Sequence, residues 1–181
     1  MFDLERFIED CVTARADKDS QRAMREVVNA AVSDRSAVTA ALGEPEAAGF
    51  ETLYQADDLT ILNFTWAPLM SLMPHNHNTW AVIGLYGGRE DNIFWRKCGD
   101  RIEAAGAKSL DAGEVATLGS EIVHSVINPI EKLTSAIHVY GGDFFAPGRS
   151  EWDPETLTEG PYDVEKARRI FREANDRFAA H

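Results

Sequence analysis

Five histidines are spread along the 181 residues of this chain, and two of them, His75 and His77, stand two apart in the stretch MPHNHNTWAVIGLYGG. Read as the opening of a strand, that stretch puts both imidazoles on one face and Asn76 on the other, because strand side chains alternate with a period of two. Pro74 suits the first position of such a strand, where its missing N–H is not needed by the ladder. Two imidazoles on one face make a bidentate clamp for a first-row metal ion, and such a clamp needs a third ligand. EIVHSVI offers His124 inside an apolar strand, where an unpartnered polar ring would be costly to bury. The spacing therefore predicts a metal site of His75, His77 and His124. Trp66, Met70, Met73 and Trp80 flank the clamp in sequence, mostly as barrel packing, with some of them shaping a pocket.

Three segments would position these side chains. Up to about residue 45 the pattern is helical: Leu4, Phe7, Ile8 and Cys11, then Met24, Val27, Val28 and Ala31, recur at helical spacing. Ser33 and Asp34 break it, SAVTAAL resumes a short helix, and Gly43 with Pro45 stops it. From 50 to 146 the pattern becomes short strands: ETLYQ, LTILNFTW, TWAVIGLY, NIFWRKC, RIEAAGAKSL, EVATLG, EIVHSVI and SAIHVYG, with turn residues between them. About eight strands with no helix interposed predict a mainly β domain, a sandwich or a jelly-roll barrel. A Pro/Gly-rich stretch leads to a helix over 162–180, with Asp163 as N-cap and Val164, Ala167, Phe171, Ala174 and Phe178 on one face, packed on the outside of the barrel. The whole, 1–181, reads as one domain.

Composition narrows the function classes. A net charge of −12 argues against a nucleic-acid partner and against docking on anionic membranes, both of which want a positive surface. The opening MFDLERFIED lacks the apolar core of a signal peptide, and no run approaches the roughly 18 apolar residues of a membrane span. Two cysteines, Cys11 on a helical apolar stripe and Cys98 in a turn, are too few for a disulfide framework and point to the cytoplasm. An acidic monomer is the default expectation, with a homodimer as the alternative.

With those residues in hand, a resemblance can be stated. PHNHNTWAVIGLYGGRE followed by EIVHSVI resembles the two metal motifs of the cupin superfamily, and within it the cysteine dioxygenase-type thiol dioxygenases. Trp66, nine residues before His75, matches a tryptophan of that family, and His138 and Tyr140 in SAIHVYGGDFF match its H-x-Y pair. The resemblance covers roughly 50–146. It implies a cupin double-stranded β-helix flanked by N-terminal helices and a C-terminal helix. It implies Fe(II) held by three histidines, Tyr140 as a catalytic hydroxyl oriented by His138, and a small-molecule thiol and O2 as substrates, with a sulfinic acid as product.

The departures matter for the substrate. Ala81 and Val82 stand where many cupins add a glutamate ligand, and Glu90 lies beyond the expected strand end, as an exposed carboxylate or one behind the ligands. Val82 also occupies the position of the family's crosslinking cysteine, and Ala136 that of its relay serine. Gln55 or Ala56 occupies the position of the arginine that grips a substrate carboxylate, a role for which a guanidinium fork is well shaped. Arg89 and Arg96 on the neighbouring hairpin are the candidate substitutes, and Trp80 a candidate wall of the substrate site. Other cupin chemistry at the same metal, carbon–carbon cleavage or isomerisation, is the alternative. So is a non-catalytic binding module, and zinc or nickel would also suit three imidazoles.

Overall fold

A computed structural model describes residues 2–180. Helices α1 (Leu4–Arg15), α2 (Ser20–Ser33) and α3 (Arg35–Leu42) come first. Asp3 caps α1 by accepting from the Arg6 N–H, and Asp34 caps α3 by accepting from Ala37. Gly43, at φ 90°, ends α3 in a conformation that side chains disfavour.

Eleven strands follow: β1 (Gly49–Ala56), β2 (Leu59–Trp66), β3 (Ser71–His75), β4 (Ala81–Gly87), β5 (Arg89–Cys98), β6 (Arg101–Asp111), β7 (Val115–Leu118), β8 (Val123–Ile127), β9 (Thr134–Tyr140), β10 (Ser150–Trp152) and β11 (Glu159–Pro161). Helix α4 (Val164–Ala179) closes the described chain. One sheet has the order β1-β2-β9-β4-β7 and the other β11-β10-β3-β8-β5-β6, with antiparallel pairing throughout. From β2 to β5, and again from β7 to β9, the chain alternates between the sheets. That alternation makes the body a jelly-roll barrel, a double-stranded β-helix, as the sequence predicts.

Two cores explain why the first sheet reads as nearly continuous apolar sequence. Leu62, Phe64, Trp66, Ile83 and Tyr140 point into the barrel, whereas Ile61, Val82, Ile137 and Val139 pack outward against Phe7, Cys11, Met24, Val28 and Val32 of the helices. Both faces of that sheet are covered, so alternation in polarity disappears while alternation in direction remains. Cys11 is a core residue, and burial pushes its thiol up to about 12, which leaves it inert.

Three strands differ from the sequence-based expectation. β3 (SLMPH) is too short and too close to Pro74 to show a period, and β10 and β11 lie in the Pro/Gly-rich stretch. Pro74 does not open a strand; it sits near the end of β3, where the register with β8 slips between Leu72 and His75. A residue without an N–H is tolerated at such a break. His77 lies outside any strand, in the connection that carries the chain from β3 across to β4, with Asn78 at φ 56°. Helix α4 lies over the barrel mouth rather than on its outside: Phe171 stacks on Trp66 with ring centroids 5.5 Å apart. Asp163 caps α4 by accepting from Glu165 and Lys166.

Candidate metal centre

His75 and His124 are direct cross-strand partners on β3 and β8, and the β3–β4 connection folds His77 against them. The Nε2 atoms of His75 and His77 are 3.1 Å apart, and those of His77 and His124 3.3 Å. One ligand atom from each ring lies within 4.8 Å of the others, and all three rings are buried. The two-apart spacing thus brings the rings together, but through a chain bend after His75 rather than through a shared strand face.

The tautomers follow from the partners on the far side of two rings. His75 Nδ1 is 2.9 Å from the Met73 carbonyl, which can only accept, so this nitrogen carries the proton. Asn92 donates its amide N–H to Glu90 (2.8 Å), which turns its carbonyl oxygen toward His124 Nδ1 at 2.7 Å, and again the ring donates. Both Nε2 atoms therefore present bare lone pairs to a common point. Burial holds His75 down to about 3, and burial followed by the neighbouring imidazoles holds His77 and His124 well below the ordinary histidine range, so all three are neutral at pH 7. Converging lone pairs repel unless a cation lies between them. Ligand atoms about 2.1 Å from one ion and at right angles to each other stand about 3.0 Å apart, close to the spacing here. The donor set fits a divalent first-row ion, with three nitrogens and no carboxylate.

Behind the centre lies a buried polar chain. The Glu90 side chain is fully enclosed: one oxygen accepts from Asn92, the other from Trp66 Nε1 at 2.9 Å, and that second oxygen is 3.7 Å from His138 Nε2. His138 Nδ1 is 3.0 Å from the Tyr140 hydroxyl. A carboxyl facing Nε2 favours the ring proton there, which leaves Nδ1 to accept from Tyr140. Glu90 is thus neither exposed nor part of the three-histidine cluster. It ties the support of His124, through Asn92, to the support of Tyr140, through His138. Tyr140 lies against His77, ring centroids 5.0 Å apart, and burial raises its pKa well above the ordinary value, so it acts as a hydroxyl.

His75, His77, His124, His138 and Tyr140 all line one open cavity of about 680 Å³. The three remaining predicted contacts do not. Arg89 is bound to Asp91 (2.9 Å) and Ser109, and Arg96 to Glu103, both along the β5–β6 hairpin. Trp80 packs with the helical core and over Gly141, where a Cβ would overlap its indole. Met70 and Met73 belong to the barrel core, and Trp66 alone of the flanking residues reaches the cavity.

One cation of the cavity that sequence reasoning missed is Arg149. Its guanidinium lies between Phe144 (4.3 Å) and Tyr162 (4.1 Å), donates Nε–H to the Asn76 carbonyl and Nη1–H to the Phe144 carbonyl, and keeps Nη2 buried without a protein partner. It is close enough to contribute to the lowered proton affinity of all three ligand histidines. Its only signal in sequence is being the single arginine in the stretch from Phe145 to Pro161.

Comparison with known proteins bears on the barrel. No protein-family model matches the chain, and a search of curated proteins finds no relative. Among solved structures it is similar to a cupin superfamily protein of Desulfitobacterium hafniense (15% identity, TM-score 0.47, covering 57% of this chain and 87% of that one). It is also similar to a double-stranded β-helix protein of Klebsiella pneumoniae (14%, 0.48, covering 62% and 87%). A variant of Bacillus subtilis oxalate decarboxylase matches at 17% and 0.45, over 57% of this chain and 28% of its own. The strand order above carries the fold independently of these likenesses.

Proposed function

We propose that the protein is a mononuclear iron(II) dioxygenase that converts a thiol to a sulfinic acid with O2. The supporting observation is a neutral three-imidazole centre, with no carboxylate ligand, facing the Tyr140 hydroxyl and the Arg149 guanidinium in one cavity. His75, His77 and His124 would hold the ion, which when bound supplies open positions for thiolate and dioxygen and the redox chemistry between them. The full positive charge that three neutral ligands leave uncompensated favours an anionic partner.

The chain's own groups have separate tasks. Arg149, held on both faces by aromatic rings, places a fixed positive charge beside the centre and favours negative sulfur, as thiolate on entry and sulfinate on exit. With its O–H given to His138 Nδ1, Tyr140 accepts one hydrogen bond at the reacting end of the substrate. Its proton can pass to His138 Nδ1, and the Glu90 carboxyl faces the far side of that ring. Phe64, Phe144 and Trp66 exclude water from this end of the cavity.

Protein purified without an affinity tag and loaded anaerobically with iron(II) is expected to bind close to one ion per chain and to consume oxygen only when a thiol is present. Mass spectrometry should show two oxygens added to the thiol. Tyr140→Phe should keep the iron and lose activity on the order of 10²-fold. Loaded protein that takes up no oxygen across a broad thiol panel would overturn the proposal.

A further inference from the structure

The cavity is built for more than the reacting end of its substrate. At about 680 Å³ it is the size of sites that hold drug-sized ligands, and it equals roughly two dozen water volumes. A thiol of cysteine size would leave most of it filled with water against aromatic walls.

The outer part is apolar. Beyond Phe64, Trp66 and Phe144 the wall continues through Phe50, Phe145, Val164, Ala167 and Phe171. Phe50, Phe145 and Val164 are also three of the six large apolar side chains that the described residues expose to solvent. Exposed apolar residues scattered singly need no explanation, but half of them gathered at one rim mark a place where apolar surface is meant to be covered.

Charge at the rim has one sign. Arg168 and Arg172 line the cavity from α4, and with Arg149 they make three guanidinium groups with no aspartate or glutamate among the described lining residues. The chain as a whole carries −12, so a lining with cations alone runs against its composition. Arg168 is paired at 2.6 Å with Glu165, whereas Arg172 makes no hydrogen bond or ion pair within the described residues and is free to meet an anion.

On the reading that this centre oxidises thiols, we infer that its substrate is an amphiphilic anion: a thiol whose sulfur reaches the histidines, whose extended apolar body lies along Phe171, Phe145 and Phe50, and whose carboxylate-like head meets Arg172 at the rim. A guanidinium fork suits such a head group. The short mercapto acids that would place both sulfur and carboxylate near Arg149 leave the outer chamber unused.

Binding to the metal-free protein tests this without any oxygen chemistry. 3-Mercaptopropionate, 6-mercaptohexanoate and 11-mercaptoundecanoate would be titrated by calorimetry under reducing conditions, with Trp66 fluorescence as a second signal. Kd is expected to fall about threefold to fourfold per added methylene until the chamber is full. 11-Mercaptoundecanol should bind about tenfold more weakly than the acid, and Arg172→Gln should weaken the acid and leave the alcohol unchanged. Phe171→Ala should weaken the long thiols and spare 3-mercaptopropionate. Kd independent of chain length, or acid and alcohol bound alike, would overturn the inference. Oxygen uptake by iron-loaded protein is read separately: long thiols that bind but are not oxidised count against thiol oxidation and leave the ligand class standing, whereas oxidation confined to 3-mercaptopropionate with flat binding does the reverse.

Discussion

Three imidazoles, none more than 4% exposed, hold their ring nitrogens toward one point, and in metal-free protein that arrangement appears as a pH dependence. Each ring is neutral in the folded chain well below 6.5, the ordinary histidine value, because burial penalises its charged form; His75 is held down to about 3. Below pH 6.5 the unfolded chain takes up protons that the folded chain refuses, so stability is complete above that value and declines as pH falls toward 3. His75 contributes about 1.4 kcal/mol per pH unit once the unfolded state is protonated, and His77 and His124 act in the same direction between pH 7.5 and 5.5. Urea unfolding midpoints of chelator-treated protein at the two pH values measure it. His124→Ala should flatten the dependence, and equal midpoints at both pH values would contradict the burial argument. At this scale the three-histidine cluster was legible in the sequence because histidine is rare here and His124 stands in an apolar strand. Arg149 was not legible, because a lone arginine in a Pro/Gly-rich stretch has no period to say where it points. Glu90 was visible as a residue but not as the enclosed acceptor of Trp66 and Asn92, which come from two sheets.

Among elements, α2 and β4 show how closely the helical layer sits on the barrel. Gly84 lies in β4, pairing with Val115 on one side and Ile137 on the other, and a Cβ added there would overlap Val28 Cγ1 and stand 3.0 Å from Val32 Cγ1. Both valines are β-branched and fully buried, so neither can swing away within its rotamer preferences. Gly84→Ala should therefore destabilise the chain by about 1–3 kcal/mol through overpacking, read as a lower urea midpoint. The three clustered histidines lie in the second sheet or in the β3–β4 connection, so iron stoichiometry should be unchanged; a stability gain would mean that α2 rides more loosely on β4. The helices and most strands of the first sheet were legible because apolar periods of 3.6 and apolar runs of 7 or 8 residues are strong signals, and the 4-residue β7 because turn residues bracket it. β3, β10 and β11 span three to five residues with prolines in or beside them, Pro74, Pro154 and Pro161, and β3 and β10 are held by pairing with partners distant in sequence. The position of α4 was misread for a related reason: its apolar face is plain in the sequence, but what that face covers depends on where β11 delivers the chain.

Across the whole molecule the layers are unequal, with helices on the outer face of the first sheet, α4 over the mouth, and the long β6 largely exposed on the edge of the second. The three ligands come from β3, from β8 and from the connection that leaves β3 for the other sheet, so an ion held among them ties that crossing in place. A ligand that binds only the folded chain stabilises it by mass action, about 2.7 kcal/mol at a hundredfold excess over Kd. For a domain of this length that corresponds to a rise in melting temperature of roughly 5–10 °C. Anaerobic loading with iron(II) should produce such a shift, chelation should reverse it, and His124→Ala should abolish it while its own metal-free melting point stays measurable. Because an ion that binds the folded chain preferentially raises the melting temperature with its concentration, iron retained without any change in melting temperature would have to sit elsewhere, on exposed carboxylates of this strongly acidic surface that bind it alike in both states. The three-histidine centre would then lose its claim to the ion.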